Sequence, residues 1–419
     1  MPKFAPRVPS GTCLESVQFH YASVMKAIKR LKPNLAAGPD GFPPLLFKNV
    51  GRSLAEPLSI MFSSFLSVHQ IPSEWLKSII TPVYKNGNAC DVTNYRPISL
   101  TCVACKLMER IISVQVLDYL RDNKLISKQQ HGFLTRRSTV TNLLESVNDW
   151  SVTLNDKLGV VVACIDYAKA FDTAKHDKLI HKLSAYGIDG DLLLWVRAFL
   201  SQRSHCTRIN QSYSRYLCIQ TGVIQGSVLG PLLFLLFIND VTNIFGDNCT
   251  CKLYADDIKL YSVVDQYGRN DIQNQLDALQ HWSDTWQLNI SYKKCNILHL
   301  DNRKNKPNIK VTLGGETIEP ASQVKDLGVI MDKELKFNKH ISKIVSRAHR
   351  IANLIHKCFT SKDKEVLKLA FTTYVRPLLE YASSIWSPHT VILIKKSSLY
   401  RSGSQRDCGV AGKRAILTD

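Results

Sequence analysis

Two adjacent acids, Asp256 and Asp257, lie in Leu253-Tyr-Ala-Asp-Asp-Ile-Lys-Leu-Tyr261, between two short runs of strand-forming residues. The pattern predicts a β-hairpin with both carboxylates at its tip. Adjacent carboxylates repel, so the chain must leave them in water or give them cations to share. Taken alone, the stretch also reads as a solvated turn, where Asp is common for local hydrogen-bonding reasons. A third acid shifts the balance. Gly159-Val-Val-Val-Ala-Cys-Ile165 is a near-continuous apolar run that ends on Asp166, the pattern of a strand buried on both faces. A carboxylate at the end of such a strand is costly without a partner. If the hairpin pairs beside that strand, the three acids meet at one sheet edge. Hard carboxylate oxygens in such a cluster suit Mg²⁺. Two ions about 3.5–4 Å apart would stabilise both the attacking and the leaving oxygens of an in-line phosphoryl displacement.

Composition says what such chemistry would act on. The chain has 419 residues, 45% hydrophobic and 21% charged, enough for a large core and two or three subdomains. A formal net charge of +19 and a pI near 9.4 do not suit a soluble enzyme of small anionic metabolites. They suit a polyanion, nucleic acid before an acidic membrane surface. The start, Met1-Pro-Lys-Phe-Ala-Pro-Arg7, has no apolar signal region, and the longest apolar run, Val228 to Ile238, covers 11 positions interrupted by Gly230 and Pro231. A spanning helix needs about 20 residues. The expectation is no membrane span and an intracellular location, in cytoplasm or nucleus. The 12 cysteines then read as thiols, and Cys102-x-x-Cys105, without a second such pair, lacks the spacing of a zinc site.

The positioning elements follow from periodicity. Helical stripes occur at 17–32, from about 45 to His69, at Cys105–Leu120, Val140–Leu154, 175–186 and 191–201, and from about Gln266 to Leu288. Ile79–Tyr84 reads as an edge strand because it contains Pro82. A strand pair is expected around Cys206–Ile209 and Leu217–Thr221, and single strands at Lys293–Leu300, Val311–Leu313 and Lys325–Asp332. Gly222–Pro231 is a glycine-spaced loop opening an apolar helix. From Phe337 the pattern turns helical, with Ile341, Val345 and Ala348 on one face and Lys339, Lys343, Arg347 and Arg350 on another. Residues 336–364 carry eight Lys/Arg against one Asp, a one-sided stripe that favours phosphate contact.

Eight motifs, in order, resemble the reverse transcriptase domain of non-LTR (LINE-type) retrotransposons over about residues 15–390. They are Gly38-Pro-Asp-Gly41, Tyr95-Arg-Pro-Ile-Ser-Leu100, Gln130-His-Gly-Phe133, Asp166-Tyr-Ala-Lys-Ala-Phe-Asp172, Gln225-Gly-Ser-Val-Leu-Gly-Pro231, Tyr254-Ala-Asp-Asp257, Lys294-Cys295 and Leu327-Gly-Val329. The resemblance implies an α+β right-hand polymerase with fingers, a palm built on an antiparallel sheet, and a helical thumb. Its divisions would be an N-terminal extension and start of the fingers (1–65), fingers and palm (66–332), thumb (333–390) and a divergent tail (391–419). It implies an RNA template, a DNA primer and dNTPs as partners, and leaves the oligomeric state open.

Residue by residue, the resemblance gives Asp166, Asp256 and Asp257 to two Mg²⁺ ions (Mn²⁺ the alternative), with the Tyr167 carbonyl as a further ligand. Lys85 and Arg96 match residues that contact the incoming triphosphate, and Lys169 and Ala170 would line its path through their backbone. Gln225 and Gly226 would pack against the nascent base pair. Lys294 matches a lysine that protonates the pyrophosphate leaving group, a general-acid role. Phe171 matches the aromatic that blocks a ribose 2′-hydroxyl, favouring DNA synthesis. Gly328 matches the primer grip. Departures are Ile224 where Pro is frequent, and Ala174-Lys175 where Val-Ser is frequent. An upstream endonuclease has no room here, and similarity lapses after His389, as in a fragment of a decayed element. Two competing readings stand beside the polymerase: a truncated, catalytically silent nucleic-acid-binding relic, and a two-metal phosphoesterase, which would need a water-activating base.

Overall fold

The computed structural model describes residues 1–387 apart from 305, 308 and 362. The tail expected at 391–419 and the last thumb residues, 388–390, lie outside the described residues.

The β-branched run organises the centre of the molecule. Strand Gly159–Ile165 sits inside an antiparallel sheet of four, in the order Cys249–Tyr254, Asp257–Val264, Gly159–Ile165, Asn296–Leu300. Successive side chains of a strand point to opposite faces, and here each face meets its own core. Val161, Ala163 and Ile165 pack with helices His176–Ala185, Gly190–Leu200, Gly230–Ile238 and Ile272–Trp286. Val160 and Val162 pack with Leu143 and Trp150 of helix Thr139–Asn155. Covering both faces explains why the run needs no polar alternation. Helix Gly230–Ile238 is buried at every residue except Pro231, as expected of a helix apolar all round.

A second sheet joins Tyr95–Leu100, Lys77–Tyr84 and Ser204–Ile209, with short strands at Ser212–Tyr213 and Leu217–Cys218. The edge-strand expectation for 79–84 is corrected here. Lys77–Ile80 pairs in parallel with Ser204–Thr207, while Ile79–Tyr84 pairs antiparallel with Tyr95–Leu100. Pro82 lies past the end of the parallel pairing and opposite Pro97, so neither ring interrupts a two-sided ladder. A second correction concerns 325–332, expected as one strand. Gln323–Asp326 and Val329–Asp332 form a hairpin, turning at Leu327 and Gly328 with φ of 40° and 92°. Glycine takes the second angle without steric cost.

Helix Asn338–Cys358 buries Ile341, Val345, Ala348 and Ile355 and exposes Lys339, Lys343, Arg347 and Arg350. Its apolar face packs in the same cluster as Val160, Val162 and Leu298 of the central sheet, so it is fastened to the sheet bearing the acids. The N-terminal helices Tyr21–Lys29 and Gly51–Ser67 enter the other cluster through Val24, Ile28 and Phe62. Helices and sheets are thus mixed around two cores, an α+β arrangement. Among the described residues no helix is long and apolar enough to cross a membrane.

Candidate active site

The acidic hairpin forms, with one refinement. Its strands pair through Tyr254↔Asp257, so Ala255 and Asp256 make the turn and Asp257 opens the second strand. The ladder between that strand and Gly159–Ile165 runs from Gly159↔Val264 to Ile165↔Ile258. The ladder ends there, so Asp166 and Asp257 are the next residues on the two strands, and both line one cavity with Lys294; Asp256 adjoins them at the turn. The segment after Asp166 is pinned by the 289–291 strand-like stretch: the Ser291 N–H donates to the Asp166 carbonyl at 2.8 Å and the Ala168 N–H to the Asn289 carbonyl at 2.8 Å. Tyr167 lies between them, its ring buried near Trp282.

Electrostatics show that the acids crowd one another. Asp257 keeps an exposed edge, yet the protein packed around it, then Asp256, Asp166 and Asp326, push its carboxyl up to about 7, against the pull of Lys259. Burial also raises the Asp256 carboxyl, and Asp166 adds to the effect, while Arg96 and Lys294 oppose it. Lys294 stands 3.5 Å from Asp166, both side chains open to solvent. Such a cluster invites a cation. Among the described residues no three His, Cys, Asp or Glu side chains form a ready-made metal cage. The donor chemistry is open and hard, three carboxylates without sulfur or imidazole. It fits Mg²⁺, which keeps water and substrate oxygens among its ligands.

The cations expected to face a triphosphate lie on the second sheet and the turn after it. Arg96 is exposed on strand Tyr95–Leu100, and exposed Lys85 follows strand Lys77–Tyr84, its N–H bonded to the Asn94 carbonyl at 2.8 Å. Arg96 acts on Asp256, and Lys85 and Lys169 act on Asp172. Lys169 is exposed with φ of 52° and leads into the buried Ala170. Phe171 is stacked on Phe234 of the buried helix at 4.3 Å between ring centroids, with the edge of Phe133 at 6.2 Å. The core therefore fixes that ring from beneath.

Gln225 donates from its amide to Asp172 at 2.8 Å, and its carbonyl accepts from the Ser99 N–H at 2.7 Å. Asp172 is thereby engaged inside the protein, with its carboxyl raised by burial. Gly226 has φ of 121°, and a Cβ there would lie 2.3 Å from the Ser99 carbonyl oxygen. The close approach this glycine makes is to the protein's own strand.

Three supports of the site have roles that the sequence does not assign. Glu109, fully buried on helix Val103–Asp122, accepts the N–H groups of Val228 at 2.7 Å and Leu229 at 2.9 Å, capping the loop that begins at Gln225. One acid on an otherwise apolar stripe was its available signal. Lys259 pairs with Asp326 at 2.5 Å and donates to Asn142 at 3.1 Å, and Asn142 donates to the Leu253 carbonyl at 3.1 Å. This straps hairpin 323–332 to the acidic strand. Gln130, also buried, contacts the turn itself. The last two depend on partners more than 60 residues away in the chain; Gln130 stands in the Gln130-His-Gly-Phe133 motif, but nothing local points to its contact with the turn.

Comparison with known proteins places the chain in a family. Residues 83–331 match the family described as reverse transcriptase (RNA-dependent DNA polymerase). The chain is 32% identical over 297 residues to the RNA-directed DNA polymerase from mobile element jockey of Drosophila melanogaster, covering 68% of this chain and 32% of that protein. It is 27% identical over 385 residues to the probable RNA-directed DNA polymerase from transposon BS of the same species, covering 87% of this chain and 41% of that one. The chain thus spans 32% and 41% of the length of these two relatives. It belongs to the reverse transcriptase family, in the LINE-type group found in non-LTR mobile elements.

Proposed function

We propose that this chain is the polymerase portion of a mobile-element protein, joining dNTPs to a primer 3′-hydroxyl under the direction of an RNA template. The observation that carries the reading is that Asp166 and Asp257 follow the last pair of the Ile165↔Ile258 ladder and line one cavity, with Asp256 at the adjoining turn. Members of the family use divalent metal ions; here Asp166, Asp256, Asp257 and the Tyr167 carbonyl would hold two Mg²⁺. When bound, these supply charge neutralisation at the phosphoryl oxygens and a more acidic primer hydroxyl. Arg96 and Lys85 orient the triphosphate from the second sheet, acting as fingers, and Lys169 and Ala170 offer backbone along its path. Lys294 holds a proton on Nζ for the departing pyrophosphate. Gln225 and Gly226, fixed by Asp172 and Ser99, present a platform beneath the new base pair. The four-stranded sheet is the palm. The helices after Asn338 are the thumb, whose exposed Lys339, Lys343, Arg347 and Arg350 contact phosphates without reading sequence. Gly328, at the turn of the neighbouring hairpin, belongs to the primer grip.

Phe171, held by Phe234, closes the space beside the sugar at the 2′ position. Phe171→Ala is expected to relax discrimination against ribonucleotides by about tenfold or more, equal to about 1.4 kcal/mol in the barrier difference. Competition of dNTP against NTP in single-nucleotide incorporation measures it, and unchanged discrimination removes Phe171 from this role. The overall reading is tested by extension of a DNA primer on an RNA template with dNTPs and Mg²⁺. Template-directed extension is expected. Tight RNA binding without extension would instead identify a silent relic.

A further inference from the structure

The turn that carries Asp256 is strained, and a side chain from outside the hairpin holds it. Ala255 has φ of 57°, a region that residues with a Cβ rarely occupy. Of the two turn residues only this first one has positive φ, the pattern of a two-residue hairpin turn that normally takes glycine there. Gln130 is 1% exposed. Its Oε1 accepts the Ala255 N–H at 3.0 Å and the Gly132 N–H at 2.7 Å, and its Nε2 donates to the Ala255 carbonyl at 3.4 Å. The flanking backbone joins the same clamp: the His131 N–H donates to the Leu253 carbonyl at 2.9 Å, and the Leu253 N–H donates to the Gln129 carbonyl at 3.0 Å. Gly132 lies so close that a Cβ would stand 2.4 Å from the Ala255 nitrogen.

We propose that Gln130 is a positioning residue: its amide grips both sides of the Ala255 peptide unit and holds Asp256 and Asp257 where they oppose Asp166. The residue type fits the task. A neutral amide accepts two N–H groups and donates one hydrogen bond without adding negative charge beside three carboxylates, as glutamate would. Asparagine is one methylene shorter. The role rests on the polymerase reading for its consequence, though the clamp itself stands on geometry alone.

The test uses the full chain with Gln130→Leu, Gly132→Ala and the double variant Gln130→Leu/Ala255→Gly. Hydrogen exchange across residues 253–257 reads the clamp independently of activity. Faster exchange at the turn is expected in both single variants, with exchange in strand Gly159–Ile165 little changed. In single-nucleotide incorporation, Gln130→Leu is expected to lose about a hundredfold in kcat, with the KM for dNTP within about threefold, because the acids are misplaced and the nucleotide cations are not. Glycine at 255 relieves the strain, so the double variant is expected to recover at least about tenfold of that loss. A residue that merely fills the core would not be rescued by glycine at a different position. Unchanged exchange at the turn in both single variants, or no recovery in the double, overturns the proposal. Failure of the wild-type chain to extend a primer, with the exchange pattern as expected, overturns the polymerase reading and leaves the clamp in place.

Discussion

Asp257→Asn is expected to lower primer extension by at least about a thousandfold, close to 4 kcal/mol in the barrier. The substitution keeps size and shape and removes one charge. Asp257 sits where the Gly159–Ile165 ladder delivers Asp166, and Asp256 and Asp326 also press on it. An amide there relieves that repulsion, so the variant should fold at least as well as the parent. It also removes a hard anionic donor that phosphoryl transfer needs. Loss of activity with retained folding separates chemistry from stability, and single-turnover incorporation alongside thermal unfolding measures both. A loss below about tenfold, or about 1.4 kcal/mol, would sink the assignment of Asp257 to metal binding. RNA affinity and its salt dependence should be nearly unchanged, since they arise from cations such as Lys339, Lys343, Arg347 and Arg350.

Glu109→Ala is expected to destabilise the fold by about 2–5 kcal/mol, at about 1–3 kcal/mol for each N–H group left without its acceptor. Two N–H groups, from Val228 and Leu229, lose their acceptor. The buried Arg203 loses a carboxylate that helps it stay charged against desolvation. Folded domains are stable by only about 5–15 kcal/mol, so the loss is a large share. Glu109→Gln keeps an acceptor oxygen and should cost less. Denaturant unfolding of the three proteins gives the comparison, and a Glu109→Ala effect within about 1 kcal/mol contradicts the capping role. Because the capped loop begins at Gln225, the alanine variant should also bind dNTP less well at temperatures where it remains folded.

What the sequence revealed and what it concealed divide along a physical line. Gly159–Ile165 announced itself because burial on both faces leaves an unbroken apolar run, and the structure assigns that strand the same limits. The acidic hairpin was legible because two strand-like runs flank two residues that cannot be buried unpaired. The stripe on Asn338–Cys358 was legible because helical periodicity separates Ile341 and Val345 from Lys339 and Lys343. Errors fell where local pattern and tertiary pairing disagree. Pro82 signalled an edge, but the parallel partner ends before reaching it. The hairpin at Leu327-Gly328 hid inside a stretch that reads as one strand because its turn needs only two residues. The supports of the site were least legible. Asn142 and Lys259 look like ordinary polar residues, and Gln130 like a motif residue without a task, until the fold brings Leu253, Asp326 and Ala255 to them.

The most direct test is single-nucleotide incorporation by the wild-type chain on an RNA template annealed to a DNA primer, with Mg²⁺ and each of the four dNTPs supplied separately. The three opposed acids and the cations facing them predict addition of the dNTP complementary to the template base, with release of pyrophosphate. A folded chain that binds the primer–template yet adds no nucleotide would contradict the account.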